Sequence, residues 1–158
     1  VMMKPAVEGR LLQALALQPT DPVLEVGTGS GYLTACLARL AASVTSIDIL
    51  PDFTEAARRK LKAHGFSNVA LHTGDASRGW GEHRYPAIAV TGSVASVDNV
   101  WRRSLSLGGR LFIVVGQSPV MEALLITRVG EREWTQESLF DLELPPLRGA
   151  APVKTFSF

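Results

Sequence analysis

A loop with glycines at alternate positions follows a short apolar segment near the start of the chain. Val23-Leu24-Glu25-Val26 runs directly into Gly27-Thr28-Gly29-Ser30-Gly31-Tyr32. Alternate glycines allow the backbone to turn sharply and to approach a ligand closely. A dinucleotide fingerprint needs Gly-x-Gly-x-x-Gly, but here the third glycine comes one residue early and Tyr32 takes its place. The loop therefore predicts a nucleotide-type cofactor site and disfavours an NAD-dependent oxidoreductase.

Glu25 indicates which cofactor this loop would bind. Its carboxylate would repel a pyrophosphate, but it would attract a ligand that carries both an ammonium and a sulfonium. S-adenosyl-L-methionine carries these two groups. We therefore expect S-adenosyl-L-methionine as the cofactor, with S-adenosyl-L-homocysteine as the product that remains after methyl transfer.

Three further groups of polar or small residues stand where predicted strands end. Asp48 follows Gly27 by 21 residues, close to the offset of about 20 at which a carboxylate accepts hydrogen bonds from ribose hydroxyls; an ordinary surface aspartate is the alternative. In Gly74-Asp75-Ala76 the acid could accept from an adenine amino group, or the segment could be a plain turn. In Thr91-Gly92-Ser93 small hydroxyl residues would leave room for a substrate. Ligands of such sheets bind beyond the carboxyl ends of the strands, so we expect these groups to share one cleft.

The elements that would position these residues alternate between helix and strand patterns. Helices are predicted at residues 4–17, after the glycine loop, at 52–65 and around 97–105, and strands at 23–26, 44–49, 69–73, 87–91 and 110–115. Residues 123–129 and 138–144 indicate a late antiparallel hairpin. We therefore predict an α/β fold with one domain over residues 1–158. Its doubly wound, Rossmann-like sheet would be mostly parallel with a C-terminal antiparallel hairpin.

Two of the predicted helices carry more specific expectations. The helix after the glycine loop should bury Leu33, Cys36, Leu37 and Leu40 on its inner face. The next helix should begin at Asp52 as N-cap with Glu55 completing a capping box, bury a stripe of Phe53, Ala57 and Leu61, and end at Gly65.

The composition argues against several classes of function. The 158 residues carry a net charge of +1, so we expect no bulk attraction to nucleic acid or to an anionic membrane. No apolar run approaches the ~20 residues of a membrane span, and the single cysteine, Cys36, excludes a disulfide framework within the chain. We expect a cytoplasmic protein with neither a nucleic-acid nor a membrane partner. The histidines at 64, 72 and 83 lack metal-ligand spacing, and Asp98-Asn99 lacks a supporting carboxylate cluster, so no metal is expected.

Several of these segments resemble, in order and spacing, the class I S-adenosylmethionine-dependent methyltransferases. They are the glycine loop, Ser46-Ile47-Asp48-Ile49, Gly74-Asp75-Ala76 with Gly79-Trp80, Ala89-Val90-Thr91 and Gly108-Gly109-Arg110-Leu111. More narrowly, residues 5–147 resemble protein-L-isoaspartate O-methyltransferases through Glu-Val-Gly-Thr-Gly-Ser-Gly-Tyr, Gly-Asp-x-x-x-Gly-Trp and the Pro145-Pro146-Leu147 ending. The resemblance implies a methyltransferase sheet and a protein-repair enzyme. Such an enzyme esterifies the free α-carboxylate of an isoaspartyl residue, and the ester then collapses to a succinimide.

The resemblance also implies a set of cofactor-binding residues but no catalytic residue. Carried over by position, the methionine part of the cofactor would be lined by Glu25, Gly27, Thr28, Gly29 and Gly31, the ribose by Asp48, and the adenine by Asp75 and Ala76. Ile49, Gly74 and Thr91 complete the expected set.

The chain departs from the family pattern in the segment that faces the substrate. There the family has Ile-Ser-x-Pro followed by a helix; Pro5 matches the proline, Met3 stands at the serine, and Glu8 stands where a histidine is frequent. A carboxylate acceptor needs hydrogen-bond donors or a positive field, and a thioether and a carboxylate supply neither. The partner is therefore expected to be a protein or peptide with a free carboxylate, or a small molecule. A catalytically silent S-adenosylmethionine-binding domain is the further alternative, and the oligomeric state stays open.

Overall fold

A computed structural model describes residues 3–147, which form one seven-stranded sheet with helices against it. The helices are α1 (Pro5–Leu15), α2 (Tyr32–Leu40), α3 (Pro51–Ala63) and α4 (Asn99–Arg103). The strands are β1 (Pro22–Val26), β2 (Ser43–Asp48), β3 (Val69–Thr73), β4 (Tyr85–Val94), β5 (Leu105–Gln117), β6 (Val120–Gly130) and β7 (Glu133–Asp141). The predicted single domain includes residues 1–2 and 148–158, which lie outside the described residues.

The strand order is β3-β2-β1-β4-β5-β6-β7, and it confirms the predicted fold class. Strands β1 to β5 pair in parallel, whereas β6 and β7 run antiparallel as the predicted hairpin. The chain reverses its direction of winding at β1, which has β2 on one side and β4 on the other. The carboxyl ends of these three strands consequently open onto the crevice where doubly wound sheets bind ligands.

Each face of the sheet buries its own apolar cluster, because successive side chains of a strand point to opposite faces. Val23 belongs to the cluster beneath α1 and α2, whereas Leu24 belongs to the cluster around Trp101. By the same alternation Glu25 points to the face that carries Val23, where most of the buried side chains are apolar. Its neighbour Ser46 on β2 shares that face, since the two residues are in register.

Helix α1 is held against this face by contacts to distant parts of the sheet. Leu11 and Leu15 are buried in the cluster, and Arg110 on β5 donates to the carbonyl oxygen of Ala14 at 2.8 Å. The guanidinium of Arg10 lies 4.1 Å from the ring centroid of Phe140. These contacts fix the side of α1 that looks toward the crevice.

Helix α2 buries its predicted inner face except at one position. Leu33 and Leu37 are buried and Cys36 is half-buried against the cluster, but Leu40 is 47% exposed. The prediction for Leu40 is therefore wrong. Thr34 is fully buried instead, because its hydroxyl donates a hydrogen bond to the sheet below.

Helix α3 begins earlier than its predicted capping box. Pro51 occupies the first turn, where its fixed φ suits a helix start, and the N-cap is Leu50, which makes no side-chain cap bond. Asp52 thus lies inside the helix, and Glu55 pairs with Arg58. The predicted cap was wrong because the proline moved the start of the helix.

The inner stripe of α3 differs from the prediction at one position. Ala57 and Leu61 are buried as expected, but Phe53 is 44% exposed. Thr54 takes the inward place and is fully buried, with its hydroxyl 2.7 Å from that of Thr73.

Candidate active site

A cleft of about 490 Å³ lies at the carboxyl ends of β1, β2 and β4. Nine of the eleven predicted cofactor-binding residues line it: Glu25, Gly27, Thr28, Gly29, Asp48, Ile49, Gly74, Ala76 and Thr91. Gly31 and Asp75 do not. The structure therefore brings together, from four separate segments, most of the residues that the sequence indicated.

The glycine loop has a conformation that side chains would disturb. Gly27 has a φ of +103°, and a Cβ there would stand 2.3 Å from the Thr91 hydroxyl oxygen. Gly31 has a φ of +84°, and its Cβ would press on Ala57 of α3 at 3.1 Å. Gly27 is thus required beside the cleft, whereas Gly31 is required where α2 begins and packs against α3.

Asp48 fastens the loop to the end of β2. One carboxylate oxygen accepts from the backbone N–H of Gly29 at 3.0 Å and the other from that of Leu50 at 3.0 Å. Each oxygen keeps acceptor capacity toward the cleft that Asp48 lines.

Glu25 is fully buried, and only one of its two carboxyl oxygens accepts hydrogen bonds. Its Oε1 accepts from the hydroxyls of Thr34 at 2.5 Å and Ser46 at 2.6 Å. The Ser46 hydroxyl has one proton, so Thr28, whose hydroxyl lies 2.7 Å from it, completes a chain of donors toward Glu25. The other oxygen, Oε2, is buried without a hydrogen-bond partner among the described residues.

Burial raises the pKa of Glu25 to about 7. The hydrogen bonds from Ser46 and Thr34 oppose this shift, and the negative charges of Glu8 and Asp48 add to it. A cation that reached Oε2 would satisfy the orphan oxygen and favour the ionised form of the carboxyl.

Two residues from the start of the described chain line the wall of the same cleft. Met3 precedes helix α1, and Glu8 lies within it. Glu8 is only 6% exposed, its Oε1 has no partner among the described residues, and burial raises its pKa. The sequence reasoning named Glu8 only as a departure from the family. The missed signal is its spacing, because Glu8, Leu11 and Leu15 share one face of the helix and that face is buried.

Asp75 forms the turn that the sequence offered as its alternative interpretation. The side chain is exposed, its Oδ1 accepts from the backbone N–H of Ser77 at 2.9 Å, and hydrogen bonds from Ser77 lower its pKa. Gly74, Ala76 and Ser77 line the cleft, and the Trp80 ring covers Gly74 so closely that a Cβ would stand 2.8 Å from it.

The hydroxyls of Thr91 and Ser93, in the last residues of β4, make hydrogen bonds within the fold. The one hydroxyl proton of Thr91 is shared between the carbonyl oxygens of Val26 and Gly27, at 3.0 and 2.9 Å. The Ser93 hydroxyl donates to the carbonyl oxygen of Leu144 at 3.1 Å. Ser93 is 3% exposed and is bridged to Pro146 in the segment that forms the adjacent wall. The expectation that Ser93 leaves room for a substrate is therefore wrong.

Other residues complete the walls of the cleft, and the sequence reasoning had not assigned them to it. They are Leu33, Ile47, Leu50, Phe53, Ala56, Lys60, Ser77 and the Pro145–Leu147 stretch. Gly92, from the predicted Thr91-Gly92-Ser93 group, lines the cleft as expected. Phe53 was placed in the core by its helical spacing, yet its partly exposed ring faces this cleft.

Residues 3–147 were expected to contain neither a metal site nor a membrane-spanning helix. No group of three or more metal-ligating side chains occurs among them, and Asp98 acts as the N-cap of α4, accepting from Val100 N–H at 2.9 Å. No helix in this range has the length and hydropathy to cross a membrane.

Comparison with known protein sequences shows to which family this chain belongs. A sequence profile described as protein-L-isoaspartate(D-aspartate) O-methyltransferase matches residues 1–147. Protein-L-isoaspartate O-methyltransferase 2 of Pelobacter propionicus is 39% identical over 149 residues, which cover 93% of this chain and 66% of that protein. The chain belongs to the protein-L-isoaspartate O-methyltransferase family.

Solved structures agree with this membership at the level of the fold. One protein-L-isoaspartate O-methyltransferase superposes with a TM-score of 0.85 at 24% identity, over 94% of this chain and 49% of that one. A Plasmodium falciparum protein described as a member of the same family was crystallised with S-adenosyl-L-homocysteine; it superposes with a TM-score of 0.79 at 20% identity, over 93% of this chain and 75% of that one. The chain thus spans from about half to three quarters of these family members.

Proposed function

We propose that this protein is an S-adenosyl-L-methionine-dependent methyltransferase that esterifies the free carboxylate of isoaspartyl residues in proteins or peptides. The single observation that carries the proposal is the cleft, in a chain of this family, where a buried carboxyl with an unpartnered oxygen adjoins the glycine loop. S-adenosyl-L-homocysteine would be the product that leaves the cleft.

The residues of the cleft fit this cofactor. The ammonium of its methionine part suits Oε2 of Glu25, which lacks any other donor among the described residues. Ribose hydroxyls can donate to Asp48. Gly74 and Ala76 line the cleft without bulky side chains, and the cleft volume of about 490 Å³ lies within the range of small-molecule sites.

The bound cofactor would supply a methyl group made electrophilic by its sulfonium. The chain itself binds and orients: Asp48 holds the glycine loop through Gly29 N–H, and Leu33 with Ile47 excludes water from the interior wall. An ionised carboxylate acceptor needs no strong general base, so positioning and desolvation can provide most of the acceleration. No residue of the cleft is assigned a catalytic proton transfer.

A second candidate function is methyl transfer to a small molecule, or cofactor binding without transfer. It is favoured by Met3 and Glu8, which line the cleft where the family has a serine and frequently a histidine. Neither a thioether nor an ionised carboxylate donates a hydrogen bond to an acceptor carboxylate. This candidate shares the cofactor site with the first and differs only in the acceptor.

We further propose that residues 1–158 form a single domain and that the protein works in the cytoplasm. One sheet spans the described residues, which supports the first statement. The single, half-buried cysteine and the absence of a disulfide framework in the sequence support the second.

The test is calorimetric titration of the whole protein with S-adenosyl-L-homocysteine, followed by transfer of labelled methyl groups to an isoaspartyl peptide. The matched control peptide has an ordinary aspartate at the same position. Binding with transfer to the isoaspartyl peptide alone supports the proposal. Binding without transfer favours the second candidate, and no binding to folded protein refutes the cofactor assignment.

A further inference from the structure

Two buried acids from different elements line the same cleft, and each has one oxygen without a hydrogen-bond partner among the described residues. Glu8 reaches it from α1 and Glu25 from β1, and both side chains line the cleft. Oε1 of Glu8 and Oε2 of Glu25 are the buried side-chain oxygens without a partner among the described residues. The charge of Glu8 acts on Glu25, and both act on Cys36 of α2, so the two carboxyls face one region.

The fold gives no reason for an acid at position 8. Burying a carboxyl without a hydrogen-bond partner is unfavourable, and a second carboxyl nearby adds repulsion. Leu11 and Leu15 on the same face of α1 pack into the apolar cluster, so an apolar side chain would suit the position better. An arrangement that is unfavourable alone becomes favourable when a ligand supplies the missing donors and positive charge.

An ammonium group has the matching chemistry. It carries one positive charge and three N–H donors, so a single ammonium has enough donors for both orphan oxygens. The basic residue that lines the cleft, Lys60, lies on α3 and is not among the groups that influence Glu8 or Glu25. The required cation must therefore come with a ligand.

We propose that Glu8 and Glu25 together bind the α-ammonium group of the cofactor, so that Glu8 is a cofactor-binding residue of this chain. This inference rests on the proposed function and names a residue and a contact that the family pattern does not supply. On this proposal, the carboxylate of Glu8 binds the cationic ammonium of the cofactor and does not bind the carboxylate of the methyl acceptor.

Cofactor binding should consequently release protons. Glu25 has a pKa of about 7, so in the free protein at pH 7 it is about half protonated, and an ammonium between the two acids favours ionisation of both. The charges of Glu8 and Asp48 act on Glu25, and Cys36 nearby is influenced by Glu8, Glu25, Tyr32 and Arg39. Affinity for the ammonium ligand should fall as the pH is lowered from 8 to 6.

The experiment compares S-adenosyl-L-homocysteine with its deamino analogue, which keeps the adenosyl, thioether and carboxylate groups. Glu8→Gln preserves the size of the side chain and removes its charge, and exposed Glu82→Gln is the matched control for net charge. Calorimetry on wild type and both variants should show that Glu8→Gln weakens S-adenosyl-L-homocysteine about tenfold or more. The same variant should leave the deamino analogue unchanged or bound more tightly, and Glu82→Gln should change neither.

Each outcome decides the matter. Equal affinity of wild type and Glu8→Gln for S-adenosyl-L-homocysteine, or equal weakening of both ligands, would overturn the role of Glu8. If wild type binds neither ligand, the proposed function itself fails. A measurement on wild type alone gives an independent answer: titrations at pH 7 in two buffers of different ionisation enthalpy should show proton release with S-adenosyl-L-homocysteine only, and equal release with the analogue would contradict the proposal.

Discussion

Replacing Glu25 with glutamine should remove a pH-dependent loss of stability from the ligand-free protein. Burial raises the pKa of this carboxyl from its ordinary 4.5 to about 7. At 1.36 kcal/mol per pH unit, this shift corresponds to about 3 kcal/mol by which the fold disfavours the ionised form. The side chain is fully buried, so solvent does not screen the effect.

The sign follows from proton binding in the two states. Between pH 4.5 and about 7, the folded protein keeps a proton on Glu25 that the unfolded chain has lost. The free energy of unfolding therefore falls as the pH rises through this window, and the loss is complete above the folded pKa. About 2 kcal/mol of the loss should occur between pH 5 and pH 8.

Glutamine reproduces the neutral carboxyl, since its Oε1 can accept from Thr34 and Ser46 as the Glu25 oxygen does. Urea unfolding at pH 5, 6, 7 and 8 measures the free energy of unfolding of wild type and of Glu25→Gln. The variant should gain about 2 kcal/mol relative to wild type across this range, while exposed Glu82→Gln should run parallel to wild type. Parallel curves for Glu25→Gln and wild type would refute the argument that burial controls this carboxyl.

Three further substitutions test the cleft. Asp48→Ala should weaken S-adenosyl-L-homocysteine about tenfold or more by calorimetry, because a hydrogen bond to a charged group is lost; unchanged affinity would remove Asp48 from the site. Gly27→Ala should lower the free energy of urea unfolding by about 1–3 kcal/mol through its positive φ and its contact with Thr91, and adding Thr91→Ala should recover only part of it. Gly92→Ala places a Cβ 2.9 Å from the Leu147 backbone, so it should lower the melting temperature, and an unchanged value would mean that this wall yields freely.

The sequence predicted those features of the fold that depend on local patterns. The apolar run before Gly27 and the β-branched run before Asp48 specify their strands without reference to the rest of the chain. Their carboxyl ends meet because parallel strands of a doubly wound sheet share one edge. Most of the predicted cofactor-binding residues consequently line one cleft.

Features that depend on tertiary contacts could not be obtained in this way. Leu40 is exposed although its burial was predicted, and Thr34, for which burial was not predicted, is buried because its hydroxyl donates to Glu25 beneath α2. The Ser93 hydroxyl donates a hydrogen bond to Leu144, which lies 51 residues later in the chain. The helical spacing of Glu8 indicates that it is buried with Leu11 and Leu15, but its position near Glu25 arises only when α1 packs on the sheet.

The bridge from β4 to the Leu144–Leu147 stretch has a consequence for the order of assembly. The carbonyl oxygen of Ser93 accepts a hydrogen bond from the backbone N–H of Leu147 at 2.8 Å, and the N–H of Ser93 donates to the carbonyl oxygen of Pro145 at 3.0 Å. The glycine loop and Asp48 precede this point by about a hundred residues, so during synthesis they emerge well before the segment that walls the cleft. The nascent sheet therefore presents an open half-site until the Leu144–Leu147 stretch has also emerged, and the wall of the cleft forms only then.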